Sequence, residues 1–330
     1  MPRGNWAGKK VIVTGGSGFI GSHFVEELLT GQANVICAYR RDNRGVLPQL
    51  PVSDRLRLAQ VDLLDEKALR VVFEQEREHG GIDAIFHCAA VSGSVEFRRD
   101  NFAQIIDANM RAVSNILMVA RQFDVRDSIL LSSSDIYLSP TTNPIREDDD
   151  FKTNMHYAQD GYYLSKMYAE ILAEAYRMEY GMNIFLPRLT SVYGPRDNFE
   201  VGTDRVVPSM LTKVADGQNI EIWGDGSQTR TYMHVKDVVH AILQMVESGK
   251  YHTLNISTTE IVSIRELAQF VCAALGEPER VTFDLDKSGG RQSRTLDVAK
   301  LYEVIDFEPR SLRDGLSDTA DWYRRFRLNR

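Results

Sequence analysis

Residues 10–39 read KVIVTGGSGFIGSHFVEELLTGQANVICAY, and the order of residue types in this stretch decides the fold. Lys10-Val11-Ile12-Val13-Thr14 is a short β-branched, apolar run of the kind buried in a parallel sheet. Gly15, Gly18 and Gly21 follow at GxxGxxG spacing, with Gly16 between them. Next, Ser22 to Leu29 places Phe24, Val25, Leu28 and Leu29 at helical spacing, and Val35 to Tyr39 is a second strand-like run. Glycines between a strand and a helix permit a tight turn and let backbone N–H groups approach a pyrophosphate. The positive end of the helix then favours its charge. Glycine-rich turns also occur for structural reasons alone. The position after a strand and before a helix is the context that points to a dinucleotide. The stretch predicts a cofactor site on Gly15, Gly18, Phe19, Ile20 and Gly21.

Outward from there the alternation continues. Strands are expected at 56–61, 84–88, 128–132 and 183–186, and helices at 66–79, 102–123 and 162–180. Strands alternating with helices of this length predict an α/β fold with a doubly wound parallel sheet of Rossmann type. Past about residue 195 the pattern loosens. Short runs at 220–222 and 253–255 and a helical segment at 263–275 sit among Gly- and Pro-containing loops. They predict a smaller mixed α/β substrate lobe. The expected organisation is a dinucleotide-binding domain over 1–190, rejoined by about 225–250, interleaved with a substrate lobe over 191–330.

Composition removes several classes. Of 330 residues, 43% are apolar and 26% charged, as in ordinary globular proteins. There is no run of about 18 apolar residues to span a membrane. The first ten residues, MPRGNWAGKK, lack the apolar core of a secretory leader. Cys37, Cys88 and Cys272 are dispersed and odd in number, which fits a reducing cytoplasm and argues against a metal or redox pair. With 39 basic and 46 acidic residues the formal charge is −7, and no long basic block suggests nucleic acid. The acidic balance leaves room for an anionic small molecule bound locally by arginines.

An NAD site usually carries Asp or Glu at the end of the second strand, facing the ribose 2′-OH. Tyr39-Arg40-Arg41 stands there instead. Two guanidiniums suit a 2′-phosphate, so NADP is favoured over NAD. The alternative is a solvated basic loop, since Asp42 and Arg44 follow. Asp62 and Leu63, after the third strand, are candidates for the adenine contact. Asp62 is equally a candidate cap for the next helix.

Tyr162 and Lys166 are spaced i, i+4 and share a helix face. A nearby ammonium stabilises a phenolate, which makes Tyr162 a candidate acid/base group, although such pairs are also common on helix surfaces. Tyr163 is next door but only i, i+3 from the lysine. Ser132-Ser133-Ser134-Asp135 falls at the C-terminal end of a strand, where open α/β sheets bind ligands.

Taken together, TGGSGFIG (14–21), HCAA (87–90), SSSDIY (132–137), YYLSK (162–166), SVYGPRDNF (191–199) and WGDGSQTRTYMHVKDV (223–238) resemble the extended short-chain dehydrogenase/reductase family. The last stretch resembles its nucleotide-sugar epimerases and dehydratases. The resemblance covers nearly the whole chain. It implies that Ser133, Tyr162 and Lys166 form a catalytic triad, that Ala89 and Ala90 line the cofactor, and that Asn109 lies near the active site. It also implies a nucleotide-diphosphate sugar as ligand. Ser134 and Ser191 are then candidates for the substrate site, and Arg230 and Arg291 for the diphosphate. A salt bridge to Asp237 is the bland alternative for Arg230. Residues 193–211 further resemble the matching part of GDP-fucose synthases, whose epimerisation Cys and His correspond here to Asp135 and Arg205. Arginine stays protonated near neutral pH, which argues against that chemistry and leaves Arg205 as a substrate contact.

Three reactions follow from the resemblance. A C4 epimerase oxidises the sugar to a 4-keto intermediate and reduces its other face, and this is the leading expectation. A 4-keto-6-deoxysugar reductase, favoured by NADPH, is the first alternative. A 4,6-dehydratase, with Asp135 as possible base, is the second. A non-catalytic NADP-binding regulator is the reading from another class, and the intact triad argues against it. The resemblance also implies a homodimer formed by the helices at 102–123 and 162–180. No metal is expected.

Overall fold

The run Lys10–Thr14 is an inner strand of a large parallel sheet. A computed structural model describes residues 6–93, 95–137, 143–149, 160–200, 203, 205–287 and 293–328. The first part of the chain forms β1 (Lys10–Thr14), α1 (Phe19–Thr30), β2 (Asn34–Tyr39), β3 (Leu56–Gln60), α2 (Glu66–Arg77), β4 (Ala84–His87), α3 (Val95–Asp100), α4 (Phe102–Gln122), β5 (Asp127–Leu130), β6 (Ser132–Ser133), α5 (Gly161–Tyr180) and β7 (Asn183–Leu189). The remainder forms β8 (Ser191–Tyr193), α6 (Val206–Ala215), β9 (Ile220–Trp223), β10 (Thr229–His234), α7 (Val235–Ser248), β11 (Thr253–Ile256), β12 (Ile261–Ser263), α8 (Ile264–Ala274), β13 (Val281–Asp284), β14 (Ser293–Arg294), α9 (Ala299–Tyr302) and α10 (Leu312–Leu328).

The large sheet runs β11-β7-β5-β4-β1-β2-β3, every neighbouring pair parallel. Successive side chains on a strand point to opposite faces, so the apolar run of β1 feeds two cores. Val11 and Val13 meet Phe24 and Val25 of α1 and Val238 and Ile242 of α7 on one face. Ile12 joins Leu69 and Phe73 of α2, Ile116 and Leu117 of α4 and Ala173 of α5 on the other. The strand order reverses at β1, with β2 on one side and β4 on the other. That reversal opens a crevice at the C-terminal ends of β1 and β4, the usual ligand position in such sheets.

The smaller lobe has its own core, drawn from Leu211 and Val214 of α6, Ile220 and Ile222 of β9, Leu267 and Val271 of α8 and Leu316 of α10. Its strands form a β12-β10-β14 sheet with β8 on β10, and a separate β9–β13 pair.

Two sequence expectations shift. The strand expected at 253–255 in the smaller lobe is instead β11, which closes the large sheet beside β7, in register Leu254↔Pro187. Together with α7 it makes the return to the large sheet run over 235–256. The strand expected at 128–132 divides after Leu130, because the Leu131 carbonyl accepts the Lys166 Nζ, and β6 resumes alongside β7. Among the described residues, no helix is long and apolar enough to cross a membrane.

Candidate active site

Three backbone segments meet at the crevice. Gly15 has φ +67°, and a Cβ there would lie 2.9 Å from the Ala89 Cα and N. The turn following β1 therefore touches the loop following β4. Gly18 N–H donates to the Gly15 carbonyl at 2.8 Å, and a Cβ on Gly21 would collide with that same carbonyl. Helix α1 begins at Phe19 and Ile20, and no side chain caps its start at Gly18. A close-approach glycine cradle at an uncapped helix N-terminus fits a pyrophosphate. Ala89 is half-buried beside it and Ala90 is exposed.

Past β2, Arg40 and Arg41 are exposed. Arg40 lies 4.0 Å from Asp62, and the Arg41 carbonyl accepts from Ser17 Oγ at 2.9 Å. Asp42 accepts from the Val46 and Leu47 amides at 2.8 and 2.9 Å, so its carboxylate is committed to the following turn. The cap of α2 is Asp65, accepting from Ala68 N at 3.0 Å, whereas Asp62 accepts from Leu64 N at 3.0 Å. This settles the capping alternative for Asp62 against that residue. The Leu63 carbonyl accepts from Asn115 Nδ2 at 2.8 Å.

Asp160 caps α5, accepting from the Tyr162 and Tyr163 amides at 2.9 and 3.1 Å. The helix phase then buries Tyr163 at 1% exposure and leaves Tyr162 half-buried. Ser133 Oγ accepts from Asp135 N at 3.1 Å, and the Ser133 hydroxyl favours the ionised form of the Tyr162 phenol. Lys166 Nζ donates to the Leu131 carbonyl at 2.5 Å and sits 5.5 Å from the Tyr162 ring centroid. Burial and the Asp135 carboxylate push the phenol up to about 12, against the opposing pull of Arg98, Ser133 and Arg205. Burial brings the Lys166 ammonium down to about 8. The structure therefore brings together Ser133, Tyr162 and Lys166. Ser134 is buried alongside them.

Asn109 is buried with both ends of its amide engaged. Its Oδ1 accepts from Val91 N at 2.7 Å, and its Nδ2 donates to the Val91 carbonyl at 2.9 Å and to Ser165 Oγ at 3.1 Å. It ties the loop after β4 to α5. Asp135, the candidate base, is gripped by Arg294 at 2.7 Å and Arg98 at 3.2 Å. Burial alone would raise its pKa, but the two guanidiniums hold it below the ordinary carboxylate value. A carboxylate so paired is a weak base.

Arg205 forks onto Asp197 at 3.0–3.2 Å and donates to the Val192 carbonyl at 2.8 Å, with its guanidinium 5.8 Å from the Phe19 ring. Arg230 donates to the Thr229 carbonyl at 2.7 Å. The salt bridge considered for it does not form: Asp237 is taken by Arg310 at 2.9–3.2 Å. Ser191 is exposed on β8, paired with Tyr232 of β10. Arg291 lies outside the described residues. Beside Arg230, in register on the parallel strand β14, stands Arg294.

Sequence reasoning missed Arg98 and Arg294. Arg294 is three residues from the arginine chosen. Arg98 had no signal beyond its place after HCAA.

Comparison with known proteins finds relatives along nearly the whole chain. The model of the NAD dependent epimerase/dehydratase family matches residues 11–257. The chain is 46% identical over 324 residues to dTDP-4-dehydro-6-deoxy-D-allose reductase of Streptomyces bikiniensis, covering 98% of this chain and 99% of that one. It is 30% identical to GDP-L-fucose synthase of Escherichia coli K12, covering 80% of this chain and 86% of that one. Among solved structures, dTDP-glucose 4,6-dehydratase of Streptomyces venezuelae with NAD bound superposes with a TM-score of 0.83 at 27% identity, over 97% of this chain and 98% of that one.

Proposed function

We propose, on the premise that this chain belongs to the NAD-dependent epimerase/dehydratase family, that it is an NADPH-dependent reductase of a nucleotide-4-keto-6-deoxysugar. The observation that carries the choice of reaction is the 46% identity, over nearly both whole chains, to a reductase of a dTDP-4-dehydro-6-deoxysugar. The epimerase expectation thus gives way to its first alternative. The dehydratase reading needs a carboxylate free to remove a proton, and Asp135 is ion-paired to Arg98 and Arg294. The non-catalytic reading leaves the Ser133–Tyr162–Lys166 assembly unexplained.

A bound nicotinamide supplies the hydride. On reduction C4 gains that hydride, the carbonyl π electrons move to oxygen, and the oxygen takes the Tyr162 proton. The products are a secondary alcohol, oxidised cofactor and a phenolate that water reprotonates. Ser133 orients the substrate oxygen toward the phenol. Lys166 spends one N–H on Leu131 and has two more for the nicotinamide ribose. Arg40 and Arg41 would hold the 2′-phosphate, which is the basis for preferring NADP. Arg230 and Arg294, neighbours across β10 and β14, suit a diphosphate. We also propose a homodimer through α4 and α5, where Ile171 and Met178 are exposed. Light scattering showing only monomer would remove that part.

The test is incubation of the purified protein with NADPH and dTDP-4-dehydro-6-deoxy-D-allose, the keto sugar in the name of that relative. Stoichiometric NADPH loss with formation of a dTDP-6-deoxyhexose is expected. An isomeric nucleotide sugar formed from a 4-hydroxy substrate without net cofactor change would establish the epimerase instead.

A further inference from the structure

We propose that Arg98 is a positioning residue for Tyr162, clamping the phenol between the loop after β4 and the start of α5 and holding a positive charge over the ring face. The proposal rests on the reading of Tyr162 as the proton-transfer group. The Arg98 guanidinium carbon lies 4.4 Å from the Tyr162 ring centroid. Nη1 is 3.2 Å from Asp135 and 3.6 Å from Asp160, the cap of the helix that carries Tyr162. Nε donates to the Gly93 carbonyl at 3.1 Å. One side chain thus joins three elements around one ring: the 91–93 loop, the turn after Ser133 and the N-terminus of α5. Arg98 is 24% exposed, so its charge is only partly screened by water.

A guanidinium over an aromatic face interacts with the ring quadrupole and more strongly with a phenolate. The other groups facing the phenol are Asp135, which disfavours the phenolate, and Ser133 and Arg205, which favour it. Lys166 stands one turn along on the same helix, and Asp160 lies at its cap. Removing Arg98 takes away a cation and strips Asp135 of one partner. Both changes disfavour the phenolate, so Tyr162 becomes a weaker acid. Asp135 keeps Arg294 at 2.7 Å, which preserves the turn after Ser133.

The experiment has two readouts. In keto-sugar reduction, Arg98→Met is expected to lower kcat about 10- to 100-fold, within the range of general acid catalysis, with the KM for NADPH unchanged. The alkaline limb of its pH profile should move upward, and Arg98→Lys should restore part of both. Independently of turnover, trifluorotyrosine at position 162 brings the phenol's ionisation into an accessible range, where its absorbance can be titrated. The midpoint should rise in the Arg98→Met background and return toward wild type in Arg98→Lys. If Arg98→Met does not fold, Arg98→Gln serves for both readouts. An unchanged midpoint, or a loss of kcat with no shift of the alkaline limb, would overturn the proposal. A wild-type protein that leaves the keto sugar untouched would defeat the reductase reading, while the titration still decides the role of Arg98.

Discussion

Glu170 and Arg188 form a buried, two-pronged ion pair close in the chain to Lys166 and linked to Ser132. Arg188 Nη2 lies 2.6 Å from Glu170 Oε2 and Nε lies 3.1 Å from Oε1, with both side chains 3% exposed. Ser132 donates to Glu170 at 2.5 Å, and Arg188 donates to the Tyr137 hydroxyl at 2.9 Å. Tyr137 in turn donates to Asn255 of β11 at 2.7 Å. The pair therefore sits one residue from Ser133 and one helical turn from Lys166, and it joins α5, β6, β7 and β11.

Breaking that pair from one side should cost far more than removing it whole. Arg188→Met leaves a buried carboxylate without its counter-ion, a situation worth roughly 3–5 kcal/mol. Glu170→Leu together with Arg188→Met removes both charges and should be less destabilising than Arg188→Met alone. Urea unfolding of the three proteins checks this. A single-variant loss below about 1 kcal/mol would show that the charges are hydrated in solution.

Tyr162→Phe keeps the ring under Arg98 and deletes only the hydroxyl that carries the proton. Turnover should fall by about 10²- to 10⁴-fold, the usual weight of a placed acid, while the melting temperature and NADPH binding stay near wild type. Retained turnover would move the acid elsewhere.

The parts of this site legible in the sequence are those encoded locally. The glycine turn needs only a strand, a spacing and a helix, all within residues 10–30. Tyr162 and Lys166 meet because four residues make about one helical turn. What was not legible depends on distant partners. Asp135 is neutralised by Arg98, 37 residues before it, and Arg294, 159 residues after it. No local pattern distinguishes a free base from a paired one. The place of β11 is similar: Asn255 looks polar for a core strand, but its amide is satisfied by the carbonyls of Ile145 and Asp297.

Gly15→Ala tests the cradle. The φ of +67° strains any L side chain, and the added Cβ would press on the Ala89 backbone at 2.9 Å. The turn and the loop after β4 must part, spoiling the approach to a pyrophosphate. NADPH should no longer raise the melting temperature of this variant, although the unliganded protein still unfolds cooperatively. Undiminished cofactor stabilisation would place the pyrophosphate elsewhere.

The proposed preference for NADP over NAD rests on Arg40 and Arg41. A hydrogen bond to a charged group is worth about 1.5–3 kcal/mol, so Arg41→Ala should weaken NADPH binding roughly 10- to 100-fold and leave NADH nearly unaffected. Arg40 is shared with Asp62, and Arg40→Ala should have the smaller effect. Fluorescence titration with both cofactors measures the ratio. Equal losses for NADPH and NADH would mean that the arginines act on something other than the 2′-phosphate.

Lys166 makes the stability of the cofactor-free protein depend on alkaline pH. Burial lowers its folded-state pKa from 10.5 to about 8. Between those values the unfolded chain holds more protons than the folded one, so this group's contribution to stability rises with pH. Below about 8 the cost of burying the ammonium is fully present, and above 10.5 it is gone. Lys166→Met carries no such cost, though it forfeits the bond to the Leu131 carbonyl. The melting temperature of Lys166→Met relative to wild type should therefore be highest near neutral pH and decline between pH 8 and 10.5. A difference that stays flat across that window would mean that Lys166 keeps its charge, hydrated, in the folded protein.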